Sequence, residues 1–159
     1  MTKDSIKYLI SYYQDFVSGI TFEMRQYELE PSANYVFVGL RRAGKSYLMY
    51  QHIHSLLAAG HSIEEILYFN FEDDRIDIFN VSELDLIKTC YEEMYGHRPI
   101  FFLDEIQNIK GWEKFARRLA DTGYRVYITG SNAKMLSSEI ATTLGGRYLI
   151  KNVYPFSFN

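Results

Sequence analysis

Short unbroken apolar runs alternate along the chain with stretches whose apolar positions recur every three or four residues. The stretch "DSIKYLISYYQDFVSG" has helical spacing, with Asp4 or Ser5 placed to cap it and Gly19 to close it. A polar, mixed segment, "TFEMRQYELEPSAN", follows and ends in a turn at Pro31–Ser32. "YVFVG" is the pattern of a strand buried on both faces, and "GKSYLMYQHIHSLLAAG" reads as a helix ended by Gly60. "EEILYFNFED" holds a second strand, with carboxylates crowding its C-terminal end. "SELDLIKTCYEEMYG" is a helix capped by Ser82 and stopped by Gly96. "PIFFLDE" is a third strand, "GWEKFARRLADTG" a helix, "YRVYITGSN" a fourth strand, "SSEIATTLGG" a short helix, and "RYLIKNVYPFSF" begins as a fifth strand. No internal repeat, low-complexity tract or linker interrupts the alternation.

Short apolar strands separated by helices predict an α/β fold with a parallel sheet covered on both faces. We read residues 1–34 as an N-terminal helix and lead-in, and residues 35–159 as the core of a single domain. In such sheets ligands bind beyond the C-terminal strand ends. Glycine and polar residues gather there: Gly39 to Ser46, Glu72 to Asp74, Asp104–Glu105 and Thr129 to Asn132.

Composition changes this picture little. A chain of 159 residues, 47% apolar and 23% charged, suits one domain with a real core. The net charge of −3 gives no basic footprint for nucleic acid. The single cysteine, Cys90, excludes a disulfide framework or a cysteine-built metal site. "MTKDSIKYLI" lacks the basic-then-apolar pattern of a signal peptide, and no run approaches the ~18 apolar residues of a membrane span. These features fit a reducing, cytoplasmic setting.

The chemistry lies at the strand ends. "GLRRAGKS" matches G-x-x-x-x-G-K-S/T over Gly39, Leu40, Arg41, Arg42, Ala43, Gly44, Lys45 and Ser46, with Tyr47 next in the helix. The glycines let the backbone close around phosphate oxygens, and the loop N–H groups and helix N-terminus present partial positive charge. Lys45 then reaches the β- and γ-phosphates and Ser46 binds Mg²⁺. Arg41 and Arg42 can touch phosphate or face solvent. Asp104 ends a buried strand, where Mg²⁺ bound to nucleotide would offset the cost of an unpaired carboxylate. Glu105 is placed to orient and polarise the water that attacks the γ-phosphate. Ser131 or Asn132, ending "ITGSN", can hydrogen-bond the γ-phosphate or that water, although such residues also favour ordinary turns. Arg147 follows a double glycine and suits charge stabilisation on a transferring phosphoryl group, at its own site or a neighbouring subunit's. It reads equally as a surface arginine. His52 and His54, two apart on a helix, do not share a face for a metal, and Arg117–Arg118 reads as a solvated helix face.

In this order "GLRRAGKS", "IFFLDEIQN", "ITGSNA" and "LGGR…YPFSF" resemble the AAA-type branch of P-loop ATPases, and within it the prokaryotic ATPases whose P-loop domain precedes a separate C-terminal domain. The resemblance covers nearly all of the chain from Tyr35. It implies a three-layer αβα P-loop fold with a parallel sheet of order 5-1-4-3-2, and hydrolysis of ATP with Mg²⁺. By position it implies Lys45 and Ser46 as phosphate and Mg²⁺ residues, Asp104 as the Mg²⁺ acid, Glu105 as the catalytic glutamate, Ser131 or Asn132 as the sensor, and Arg147 as the family's arginine. The chain stops at Asn159, where that family continues, so a missing C-terminal domain is expected.

Three readings compete. The first is an ATP hydrolase module that drives or switches an attached domain, with ATP and ADP as ligands and a homo-oligomer left open. The second is a nucleotide-binding interaction or switch module with little intrinsic hydrolysis, against which the retained Glu105 weighs. The third is a P-loop phosphotransferase, for which no arginine-rich lid segment is visible.

Overall fold

The computed structural model describes residues 1–40, 43–76, 80–131, 135 and 138–155. Arg41, Arg42 and Asn132, and the Phe-Ser-Phe of the C-terminal stretch, lie outside the described residues.

The apolar runs become five strands: β1 (Asn34–Val38), β2 (Ile66–Asn70), β3 (Ile100–Asp104), β4 (Arg125–Gly130) and β5 (Tyr148–Asn152). They form one sheet in the order β2-β3-β4-β1-β5, and every pairing is parallel. This is the 5-1-4-3-2 order read from the opposite edge. Near-continuous burial of β1 to β4 explains why they lack the alternation of a one-sided sheet. The outer strand β5 exposes Leu149 and Ile150.

Among the described residues, five helices connect and cover the strands: α1 (Lys3–Gly19), α2 (Lys45–Ala58), α3 (Val81–Tyr95), α4 (Trp112–Asp121) and α5 (Ser138–Leu144). Parallel crossovers are right-handed. The step from β1 to β2 runs one way along the sheet and all later steps run the other, so α2 covers one face and α3, α4 and α5 the opposite face. Contacts of α3 with α4, and of α4 with α5, follow that placement. Helix α1 packs against β2, α2 and α3 and so covers the β2 margin.

Two helix starts differ from the sequence reading. The α1 cap is Thr2, whose hydroxyl accepts from Ser5 N–H at 3.1 Å, while Asp4 falls inside the first turn. There its charge complements the helix dipole rather than satisfying a free N–H. The α3 cap is Asn80, not Ser82; its Oδ1 accepts from Ser82 N–H at 3.1 Å and Glu83 N–H at 3.3 Å. Gly19 is the last residue of α1 rather than a stop beyond it. Gly60 and Gly96 do follow their helices in left-handed backbone.

The core is aromatic. Phe102 and Tyr127 stack with centroids 4.7 Å apart, and His52 lies 4.7 Å from the same tyrosine ring. The two histidine nitrogens meet Tyr27 Oη at 3.1 Å and Tyr127 Oη at 3.0 Å. Burial, with Arg125 nearby, pushes the His52 pKa down to about 4. His54 instead meets the Val17 carbonyl at 2.7 Å.

Candidate active site

The loop after β1 turns back beside two neighbours. Gly39 N–H donates to Gly130 O at 3.4 Å, and a Cβ on Gly39 would lie 2.6 Å from the Val153 carbonyl oxygen. Only a residue without that atom fits between β4 and the end of β5. Gly44 has φ +94°, a left-handed backbone favouring glycine, and caps α2 without a side chain. Arg25 stands behind it, donating from Nη2 to Ala43 O at 3.3 Å and from Nη1 to Tyr154 O at 3.1 Å. Gln51 of α2 fixes the Arg25 backbone through two hydrogen bonds. A cleft of about 520 Å³ opens next to Gly44, lined by Thr21, Phe22, Glu23, Arg25, Ala43 and Tyr47. The polar lead-in, uninformative by periodicity, thus builds one wall beside the loop. Leu40 and Tyr47 are largely exposed at its rim.

Lys45 opens α2, and its side chain turns inward. It is only 4% exposed, and its Nζ lies 3.0 Å from Glu105 Oε1, itself on a residue 7% exposed. This contact joins the two strand-end motifs. Asp104, the last residue of β3, is fully buried. Its Oδ2 accepts from Tyr68 Oη and its Oδ1 from Thr129 Oγ1, both at 2.5 Å, and Ser46 also hydrogen-bonds it. Burial raises the Asp104 pKa, opposed by those hydroxyl donors. Tyr50 Oη lies 3.2 Å from Tyr68 Oη, extending the chain of hydroxyls back to α2, and burial lifts its pKa to about 12.

Glu105 has φ 55° and ψ 44°, the one described non-glycine residue in left-handed backbone. Such a conformation costs on the order of 1–3 kcal/mol and persists where the surroundings enforce it. Here Glu105 N–H donates to Thr129 Oγ1 at 2.8 Å, and Gln107 Nε2 donates to Glu105 Oε2 at 2.5 Å. Thr129 therefore links both acids to β4, the strand between β3 and β1. Ser131 follows Gly130, which pairs with Val38, and so stands beside the start of the loop.

Arg147 is placed differently. It precedes Tyr148, which pairs with Asn34, whereas the loop leaves β1 beyond Val38. Four strand steps of ~3.3 Å separate those edges, roughly 13 Å along the sheet. Its guanidinium donates to Asp121 and to the Leu144 carbonyl, away from its own loop. Of the acidic run Glu72 to Asp74, Asp73 binds Arg75 and Tyr13 Oη, and the Arg75 contact holds its pKa down to about 2. That carboxylate ties the end of β2 to α1.

The site therefore brings together Gly39, Gly44, Lys45, Ser46, Asp104, Glu105 and Ser131. Sequence reasoning missed Tyr68, Thr129 as a bridge, Gln107 and Arg25. Two hard oxygen donors, Ser46 and Asp104, stand together beside the loop, and Mg²⁺ commonly takes one or two protein oxygens plus phosphate and water. Among the described residues, no group of three His, Cys, Asp or Glu could hold a metal ion, and no helix is long and apolar enough to cross a membrane.

A family profile described as an AAA domain matches residues 32–159. An uncharacterized protein of Methanocaldococcus jannaschii is 39% identical over 131 residues, covering 82% of this chain and 28% of that protein. One of Haemophilus influenzae is 40% identical over 126 residues, covering 77% of this chain and 31% of that protein. A second Methanocaldococcus jannaschii protein is 31% identical over 127 residues, 76% of this chain and 25% of that protein. The chain thus spans about a quarter to a third of the length of these curated relatives. With a parallel five-stranded α/β sheet and a phosphate-type loop at its C-terminal edge, the chain belongs to the AAA-type family of P-loop domains.

Proposed function

We propose that this domain binds ATP with Mg²⁺ and hydrolyses it. The observation that carries this reading is the 3.0 Å contact between Lys45 Nζ and Glu105 Oε1. It joins the lysine of the loop directly to an acid suited to activate water, which supports assigning both to one site. Loop N–H groups and the start of α2 hold the phosphates. Lys45 exchanges Glu105 for phosphate oxygens, which frees Glu105 Oε1 to polarise the attacking water. Ser131 and Asn132 are the groups proposed to steady the γ-phosphate. Ser46 and Asp104 would hold Mg²⁺, which when bound neutralises charge on the β- and γ-phosphates. The cleft between residues 21–25 and Tyr47 receives the base and sugar. Arg147 faces away from its own loop, which supports action on the site of a neighbouring copy. Coupling of hydrolysis to a C-terminal domain, beyond residues 35–159, is part of the same proposal.

One observation favours a second reading, a nucleotide switch with little intrinsic turnover: both carboxylate oxygens of Glu105 are engaged. The experiment is nucleotide binding by calorimetry together with phosphate release, on wild type and Lys45→Ala. The hydrolase reading expects Mg²⁺-dependent phosphate release and no binding by Lys45→Ala. Binding without release in the wild type supports the switch. ATP affinity unaltered in Lys45→Ala refutes the site itself.

A further inference from the structure

Gln107, in the short 3₁₀ turn Ile106–Asn108 after β3, has no part in the chemistry described so far. Its amide is nonetheless built into the site. Nε2 donates to Glu105 Oε2 at 2.5 Å. Reversing the amide would set two acceptor oxygens against each other at that distance, so the carboxylate fixes which end is nitrogen. The other end, Oε1, is buried and has no hydrogen-bond partner among the described residues. A buried amide oxygen without a donor is costly and rare, and where it occurs at a site it marks a missing partner. The oxygen lies over the end of β4. A Cβ on Gly130 would come within 2.8 Å of it and closer still to Met135, so only glycine lets the amide lie there. The next residue is Ser131, and Gly130 O itself receives the first N–H of the phosphate loop. The orphaned acceptor thus lies at the end of β4 beside Met135, one residue from Ser131, with Glu105 held at the other end of the same amide.

We propose that Gln107 is a positioning residue for hydrolysis, gripping Glu105 with its N–H and accepting one hydrogen of the attacking water on Oε1. This rests on the hydrolase reading above. In the step it serves, the water oxygen bonds to the γ-phosphorus while the bond to the β–γ bridging oxygen breaks, its electron pair leaving on ADP. One water proton passes to Glu105 Oε1, vacated by Lys45; the other stays hydrogen-bonded to Gln107 Oε1. Two fixed acceptors on one water leave its lone pair aimed at phosphorus, which is how an orienting group lowers a barrier without covalent chemistry.

The test uses Gln107→Met, close in size but without donor or acceptor, with Gln107→Ala as a second variant should the first fold poorly by far-UV melting. The steady-state expectation is a fall in kcat of ~10²-fold with KM little changed, the signature of a group acting only in the transition state. The readout independent of turnover is binding of ADP with Mg²⁺, with and without aluminium fluoride. That fluoride complex mimics the phosphoryl group with its in-line water. Wild type gains affinity from aluminium fluoride, and the variants keep ADP affinity within about threefold but lose the gain. Variants that gain as much as wild type and turn over at wild-type rate overturn the assignment while leaving hydrolysis standing. A wild type that binds ADP but gains nothing from aluminium fluoride and releases no phosphate overturns the hydrolase reading and the role of Gln107 with it.

Discussion

Thr129 offers the sharpest test of how the two acids are held. Its hydroxyl donates to Asp104 Oδ1 at 2.5 Å and accepts from Glu105 N–H at 2.8 Å, and the residue is fully buried. Thr129→Val keeps the volume and β-branching and deletes only the hydroxyl. Asp104 then loses a charge-assisted hydrogen bond, worth roughly 1.5–3 kcal/mol, and the Glu105 N–H is left buried and unpaired at a cost of about 1–3 kcal/mol. Tyr68 and Ser46 still support Asp104, so a loss towards the low end of the combined range, about 3 kcal/mol, is expected. Against a total stability of about 5–15 kcal/mol that is large, and in a domain of this size it lowers Tm by roughly 6–12 °C.

Thr129→Ser is the control. It keeps both hydrogen bonds and loses one methyl, for about 1 kcal/mol. Urea unfolding followed by far-UV circular dichroism, with the m-value checked for constancy, measures both. Valine destabilising by about 2 kcal/mol more than serine supports the bridge. Equal effects would refute the reasoning, because the hydroxyl would then contribute nothing to holding Asp104 or the left-handed turn at Glu105.

The remaining perturbations separate structural from chemical roles. His52, with its pKa pushed from 6.5 down to about 4, stays neutral in the fold while the unfolded chain takes up a proton. Its contribution is therefore present above pH 6.5 and lost as pH falls towards 4, by roughly 3 kcal/mol in all, and His52→Phe flattens that part of a urea-midpoint profile. Asp73 acts in a lower window, its contribution present above 3.8 and lost towards about 2. Arg147→Ala removes a half-exposed ion pair with Asp121, so stability changes by less than about 1 kcal/mol. A loss of phosphate release beyond that small change then points to a role of Arg147 other than folding. Mixing it with Lys45→Ala restores activity if Arg147 serves a neighbouring copy, and absence of rescue in confirmed mixed assemblies counts against that.

The fold was legible because its signals are local. A strand buried on both faces is a continuous apolar run, and β1 to β4 are such runs. The position of the Gly39–Ser46 loop and of the Asp104–Glu105 pair was legible for the same reason: each is a few adjacent residues at a strand end. The helix caps were not, because Thr2, Asp4 and Ser5, or Asn80 and Ser82, are all capping types, and only backbone geometry chooses among them. What supports the acids was hidden for a different reason. Tyr68 comes from β2 and Thr129 from β4, and sheet order brings them to β3 across 36 and 25 residues of chain. The same register moves Arg147 to the far edge of the sheet, so a residue legible as a phosphate-seeking arginine is not part of its own loop's surroundings. Gln107 was within the quoted "DEIQ", but nothing in its spacing could reveal an amide with one end held and one end waiting.

Lys45 and Glu105, both buried, satisfy one another at 3.0 Å. A phosphate that takes Lys45 must break that pair and then sit near the carboxylate it has displaced. Both effects oppose binding and both vanish when Glu105 loses its charge. Glu105→Gln is therefore expected to bind ATP more tightly than wild type even as it stops turnover. A buried pair held by a second hydrogen bond from Gln107 is worth more than a surface one, so an intermediate value of about 1.4 kcal/mol gives roughly tenfold tighter binding. Calorimetry with a slowly hydrolysed ATP analogue compares the two proteins on equal terms. Unchanged or weaker affinity in Glu105→Gln would mean that Lys45 does not give up Glu105 on binding. Release of the base by nucleotide would then have to be abandoned, whatever the variant does to phosphate release.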